Sequence, residues 1–186
     1  EVLSSRSSAS APVAFTNIKK ADIDLRLGSQ DLPLLLNTIP GIFATGQGGG
    51  AGDARINVRG FDQRNFAIML NGVPVNDMEN GWVYWSNWDG VGDATSSIQV
   101  QRGMSAVNLA VPSIGGTVNI VTDPAALKFG AKFKQEFGSY GFMKSTASIN
   151  SGKIGSLAFS GALVKKTGEG RSNFSKNGPI IIKILG

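Results

Sequence analysis

Between residues 128 and 137 the chain alternates without a break. The odd positions are Phe129, Ala131, Phe133, Gln135 and Phe137; the even ones are Lys128, Gly130, Lys132, Lys134 and Glu136. A period of two sends successive side chains to opposite faces of a strand, so this segment is predicted to be a strand with one apolar and one basic face. Residues 138–141 read as a turn. A weaker alternation follows over 142–151, with Met143, Ala147 and Ile149 on one face. Gly152 and Lys153 read as the next turn, and 154–166 as a third strand. Periodicity alone leaves two architectures open. One is a sheet of a soluble sandwich; the other is a set of tilted membrane strands, each about 9–11 residues long, with apolar faces outward.

Upstream the pattern is different. Residues 1–17 are rich in Ser and Ala and read as a flexible arm. Residues 29–39 suggest a short helix, capped by Ser29 or Asp31, with Pro33 in its first turn and Pro40 and Gly41 as its stop. Residues 55–59 and 66–70 read as strands. Asn71-Gly72 between apolar runs is a strong hairpin signal, and 73–75 is the returning strand. Residues 76–94 form a long polar loop holding Trp82, Tyr84, Trp85 and Trp88. Strands are expected at 97–101 and 117–122, with one or two helical turns at 104–110. The first 123 residues thus predict a small α+β unit.

Glycines crowd between Gly41 and Gly60, and Gly46-Gln-Gly-Gly-Gly-Ala51 fits a loose dinucleotide pattern. That fingerprint needs a strand before it and a helix after it. Here a helix is expected before the loop and a strand after it. A phosphate loop needs Gly-Lys-Ser/Thr, and no Lys occurs from 21 to 127. The loop is better read as flexible, or as backbone packed closely on a neighbour.

Composition narrows the chemistry. The 186 residues contain no Cys and no His. Thiol chemistry, Cys/His zinc sites, Ser-His-Asp triads and imidazole switching are therefore excluded. No carboxylate pair or activated nucleophile can be placed, so the chain does not read as an enzyme. The acids near Gly81 do not fit a calcium loop, since Met78 would fall where an oxygen ligand is needed. No metal site and no cofactor are expected. Residues 1–127 carry 8 Lys/Arg against 11 Asp/Glu, whereas 128–186 carry 10 against 2. The basic tail could suit a nucleic acid or a membrane surface, but solvated or lumen-facing lysines are the simpler reading, and no nucleic-acid partner is expected.

Five motifs occur in order: residues 30–42 around Leu-Leu-Leu-Asn-Thr-Ile-Pro-Gly, Ile56-Asn-Val-Arg-Gly-Phe61, Ile68-Met-Leu-Asn-Gly-Val-Pro-Val75, Ile98-Gln-Val-Gln-Arg-Gly103 and Ile114-Gly-Gly-Thr-Val-Asn-Ile-Val-Thr122. Together they resemble the plug domain of TonB-dependent outer-membrane receptors, over about residues 20–166. Tyr84-Trp-Ser-Asn-Trp88 and Phe137-Gly-Ser-Tyr-Gly-Phe142 look most like receptors of the Bacteroidetes type. The resemblance implies a flexible arm at 1–19, a plug at 20–127 with a mixed sheet and short helices, and the first antiparallel strands of a barrel at 128–186.

In that family the plug fills a barrel lumen in the outer membrane and gates ligand uptake. The TonB complex engages the N-terminal arm by strand addition, and residues 1–5 could end such a box. The resemblance further implies that Arg59 and Arg102 dock the plug on barrel carboxylates. It assigns Gly60, Gly72, Gly103, Gly115 and Gly116 to turns or close packing. Trp82, Tyr84, Trp85 and Trp88 become candidate contacts for a small molecule, oligosaccharide or peptide. The odd-numbered Phe side chains should face lipid and the lysines the lumen. A complete barrel of this class needs about 22 strands. Three or four are visible here, and the C-terminal residues do not resemble a next strand, so the chain is expected to be incomplete and unable to transport by itself. The other reading is a free plug-like binding module of the periplasm.

Overall fold

The structure is a computed structural model, and it describes residues 15–47, 52, 54–102, 114–155, 157–168 and 180–185. Its strands are β1 (Phe15–Lys19), β2 (Ile42–Gly46), β3 (Ala54–Val58), β4 (Phe61–Asp62), β5 (Ala67–Leu70), β6 (Val73–Pro74), β7 (Ser97–Arg102), β8 (Gly116–Val121), β9 (Gly130–Phe137), β10 (Met143–Ile154), β11 (Leu157–Thr167) and β12 (Ile180–Leu185). Three short helices join them: α1 (Lys20–Arg26), α2 (Leu32–Leu35) and α3 (Val91–Ala94). The predicted α+β class, with short helices and a mixed sheet ahead of antiparallel strands, is what the chain forms.

The mixed sheet runs β1-β7-β8-β5-β6, with β5 and β8 parallel and the other pairs antiparallel. One face carries Ile68, Ile98, Val100, Val118 and Ile120, all buried, against Ile23, Leu27, Leu35 and Leu36 from the helical segments. Fully burying an aliphatic side chain is worth about 1.5–3 kcal/mol, so this face anchors the unit. A second, three-stranded sheet, β2-β3-β4, adds Ile42, Ala44, Ile56 and Val58 to the same core. Its edge at β2 is closed by Asn37, whose Oδ1 accepts from Ala44 N at 2.6 Å while its Nδ2 donates to Ala44 O at 2.8 Å.

The Asn71-Gly72 hairpin forms as predicted, with φ of 52° and 83°, the two left-handed residues of a type I′ turn. Arg59-Gly60 and Tyr140-Gly141 repeat that pair of conformations between β3 and β4 and between β9 and β10.

Several expectations are corrected. Residues 15–19, assigned to the arm, form edge strand β1 on β7; with only Ile18 buried, β1 offers little alternation to detect. The Leu32–Leu35 helix, continued by a 3₁₀ turn, is indeed followed by Pro40 and Gly41, but a strand, β2, then precedes the glycine loop. That loop joins two antiparallel strands, and Gly52 packs so closely that an added Cβ would sit 2.6 Å from Ser86 Cα. The turn expected at 152–153 lies later, at Gly155. Gly152 takes φ 62° and forms a bulge that lets β10 continue to Ile154. The C-terminal segment adds a fourth strand to this part of the chain: β12 pairs antiparallel with β11. The helical turns expected at 104–110, Gly103 and the arm's residues 1–5 lie outside the described residues.

The last four strands form a separate antiparallel sheet, β12-β11-β10-β9. Phe129, Phe133 and Phe137 are 84%, 72% and 77% exposed, and Ile149, Phe159 and Leu163 lie exposed with them. The outward face is therefore largely apolar and uncovered, interrupted by the polar row Gln135, Ser145 and Lys165. Its opposite face is turned to the helices of the α+β unit.

Candidate functional site

Strand register explains how the inward face is built. Glu136, Lys144 and Lys166 are direct cross-strand neighbours, as are Lys134, Thr146 and Val164, and Lys132, Ser148 and Ala162. These rows alternate with the outward ones, so the lysine face predicted for β9 lies inward, and β10 and β11 each add one lysine to it, Lys144 and Lys166.

Acids of the α+β unit meet that surface. Lys132 Nζ donates to Asp24 Oδ2 of α1 at 2.8 Å. Lys144 Nζ lies 2.9 Å from Asp93 Oδ2 of α3, with its side chain only 2% exposed, and also donates to the Gly28 carbonyl at 3.2 Å. Lys166 pairs with Asp89, just before α3, and both are nearly buried. Within its own strand row, Lys144 also faces Glu136 at 3.7 Å. Three lysines from three successive strands thus hold three acids from α1 and the α3 turn.

Electrostatics bias two nearby carboxyls in opposite directions. Burial pushes Asp24 up, but the Lys132 hydrogen bond and the Lys20 charge outweigh it and hold the group below the ordinary carboxylate value. Asp31 is raised, chiefly by burial, which the Gly52 N–H bond and the Lys166 charge do not fully offset. Asp31 sits at the N-cap position of α2 without capping it. Its carboxylate instead accepts from Gly52 N at 2.7 Å and fastens the glycine loop.

The predicted docking arginines sit elsewhere. Arg102, at the end of β7, donates to the Pro40 carbonyl at 2.9 Å and to Thr16 Oγ1 at 3.3 Å. It therefore fastens β1 to the turn before β2. Arg59 is exposed with φ 52° in the β3–β4 turn, and its backbone N–H bonds to Gly41. Neither touches the four-stranded sheet through an ion pair among the described residues. The ion pairs between the unit and these strands run from acids of the unit to lysines of the strands. Of the predicted glycines, Gly60 and Gly72 sit in the left-handed turns, while Gly115 packs 3.1 Å, as an added Cβ, from Phe61 Cβ. Gly116 has φ 125°.

The aromatic loop divides. Trp85 is 4% exposed and donates its indole N–H to Gln63 Oε1, so it is a core residue and presents no face to a ligand. Trp88 packs partly buried against the same core. The guanidinium groups of Arg55 and Arg64 each lie over the Trp82 ring, 5.3 Å and 5.4 Å from its centre, and Tyr84 is half exposed. Asn76, buried, donates to the carbonyls of Gln63, Phe66 and Gly81 and accepts from Ile68 N, which sets the loop's course. Asn76 and Gln63 escaped the sequence reading because a polar residue in a polar loop carries no periodic signal. Among the described residues no group of three or more acids is placed to hold a metal ion.

Residues 7–117 match the family described as TonB-dependent Receptor Plug Domain. The ferric enterobactin receptor of Pseudomonas aeruginosa is 32% identical over 120 residues, covering 58% of this chain and 16% of that protein. The ferrienterobactin receptor of Escherichia coli is 30% identical over 107 residues, covering 50% and 14%. The chain therefore spans about one-sixth of the length of the curated relatives it matches. Among solved structures, the siderophore receptor PiuA from Acinetobacter baumannii superposes with a TM-score of 0.60 at 21% identity, covering 88% of this chain and 22% of that one. The alcaligin outer-membrane receptor FauA from Bordetella pertussis gives 0.64 at 17%, covering 88% and 28%. These likenesses speak for the fold.

Proposed function

We propose, because this chain belongs to the TonB-dependent receptor plug domain family, that its α+β unit is the gate of a ferric-siderophore receptor. The outer membrane is its location. Residues 20–127 act as the plug and the strands from residue 128 onward as the first staves of the surrounding barrel, with their exposed Phe face toward lipid. The TonB complex acts on the arm ahead of β1.

The observation that carries this reading is the ion-paired contact of plug acids with stave lysines: Asp24 on Lys132, Asp93 on Lys144 and Asp89 on Lys166. An apolar contact of this size would bind the plug as a core does. Charged hydrogen bonds hold it in one register yet can be exchanged for water when the plug is pulled. Siderophores are favoured over oligosaccharides or peptides by the names of the matched relatives. Trp82 and the exposed Tyr84 are the ligand contacts on the plug, with Arg55 and Arg64 supplying positive charge for an anionic chelate. Trp85 is left out of that set. The ligand and transport roles belong to a whole receptor carrying this plug.

The test is growth under iron limitation of cells whose own siderophore receptors are deleted and which express the receptor carrying this plug. TonB-dependent growth on a ferric catecholate is the expected result. Growth on no ferric siderophore, with the receptor present in the outer membrane, overturns the siderophore reading.

A further inference from the structure

A cavity of about 170 Å³ lies between α1, α3 and the inward face of β9–β11. Its walls carry Lys20, Lys128, Lys132 and Lys134 against Asp24 and Asp93, an excess of two positive charges. Both acids are already engaged. Asp24 is shared by Lys20 and Lys132, at 3.2 Å and 2.8 Å, and Asp93 is held by Lys144. Lys134 is paired with Glu136 at 2.9 Å, whereas Lys128 has no ion pair among the described residues.

A second observation points into the same space. Thr146 is 6% exposed, lines the cavity, and its Oγ1 is buried with no hydrogen-bond partner. A buried hydroxyl left unpaired costs about 1–3 kcal/mol, and such groups in native proteins are met by a water or a ligand. Ammonium groups only donate, and a hydroxyl can donate. The cavity therefore offers donors from several sides and a net positive field. The complementary occupant accepts hydrogen bonds in all directions and is negative. At about 30 Å³ per water, the space admits one tetrahedral ion with a few waters, and it is far too small for a siderophore.

We propose that this cavity binds a small inorganic oxyanion, phosphate or sulfate, between the plug and its first staves, with Lys128 and Thr146 as ligands. Lys132, which donates to Asp24, and Lys20, which is held by Asp24 and donates to the Asp93 carbonyl at 2.7 Å, each turn a remaining side of the ammonium group to it. The bound ion would bridge α1 to β9 and β10 and tighten the plug against the wall. This inference rests on the packing of the two parts and not on the siderophore reading, so either can fail alone.

Titration of inorganic phosphate and of sulfate into the full chain, folded in detergent micelles and followed by calorimetry, tests it. One anion per chain is expected. Lys128→Gln and the near-isosteric Thr146→Val should each weaken binding about tenfold, the loss of one charge-assisted hydrogen bond. Lys153→Gln, outside the cavity, should leave binding unchanged. Far-UV circular dichroism establishes that each variant keeps its strands. Three results overturn the proposal: no saturable binding by the folded chain, which would mean water alone fills the cavity; unchanged binding in Lys128→Gln and Thr146→Val; or equal loss in Lys153→Gln, which would mark nonspecific attraction to charge.

Discussion

Lys144 and Asp93 meet at 2.9 Å across the boundary between the α+β unit and the four-stranded sheet, 51 residues apart in sequence, with the lysine side chain 2% exposed. A buried ion pair adds little over a well-packed apolar pair, but breaking one strands a charge at a cost of about 3–5 kcal/mol. Asp93→Asn leaves Lys144 facing Glu136 at 3.7 Å and the Gly28 carbonyl. The expected loss in urea unfolding is therefore at the lower end of that range. Lys144→Met should cost more, because it strands Asp93 at the boundary, although Glu136 keeps Lys134 at 2.9 Å. The double variant should recover part of the loss. Strict additivity of the two single effects would show that the pair is not coupled.

The arginine at the end of β7 makes a different prediction. Arg102 holds Thr16 of β1 and the Pro40 carbonyl at once, through a guanidinium fork that lysine lacks. Arg102→Lys and Arg102→Met should both loosen β1. Amide hydrogen exchange at residues 16–19 should speed up by about tenfold or more, for a lost charged bond of about 1.5–3 kcal/mol, while exchange in β8 stays slow. Equal acceleration in β1 and β8 would mean that Arg102 supports the whole sheet and does not fasten β1 in particular.

How much of this was readable beforehand follows from the range over which each signal acts. The β9 alternation spans eight consecutive residues, so both faces of the strand could be assigned from neighbours in sequence. The Asn71-Gly72 turn depends on two adjacent residues and was equally legible. The acid–lysine contacts join positions 51, 77 and 108 apart. Nothing local distinguishes Asp24, Asp89 or Asp93 from other surface acids, so the docking role fell to the arginines, which the family resemblance made conspicuous. Trp85 illustrates the same limit: its neighbours are polar, and its burial depends on Gln63, 22 residues earlier.

Gly92 in α3 packs on the helical segments beneath it. An added Cβ would stand 2.6 Å from Leu27 Cδ2 and 3.2 Å from Leu32 Cδ1. Those leucines are themselves buried and have little room to swing aside. Gly92→Ala should therefore destabilise by about 1–3 kcal/mol, as overpacking does, although alanine is the better helix former. It should also weaken the Asp93–Lys144 contact next to it. A variant as stable as the wild type would show that the leucines repack freely.

The two perturbed carboxyls should give pH dependences of opposite sign. Asp24 titrates below 3.8 when folded, because the pull of Lys132 and Lys20 exceeds the effect of its burial. Its stabilisation is complete above 3.8 and fades as the pH falls through the lower folded value. Asp31 titrates above 3.8 when folded, because burial dominates. Its folded form binds the proton more tightly than the unfolded chain does, so stability falls as the pH rises from 3.8 through the raised value. Melting midpoints measured from about pH 2.5 to 6.5, a range spanning the ordinary carboxylate values, separate the two. Relative to wild type, Asp24→Asn should lose its deficit at the acid end. Asp31→Asn should gain as the pH rises, since its amide oxygen can still accept the Gly52 N–H without burying a charge. A wild-type advantage over Asp31→Asn that grows toward neutral pH would mean that the attraction of Lys166 outweighs the burial of Asp31.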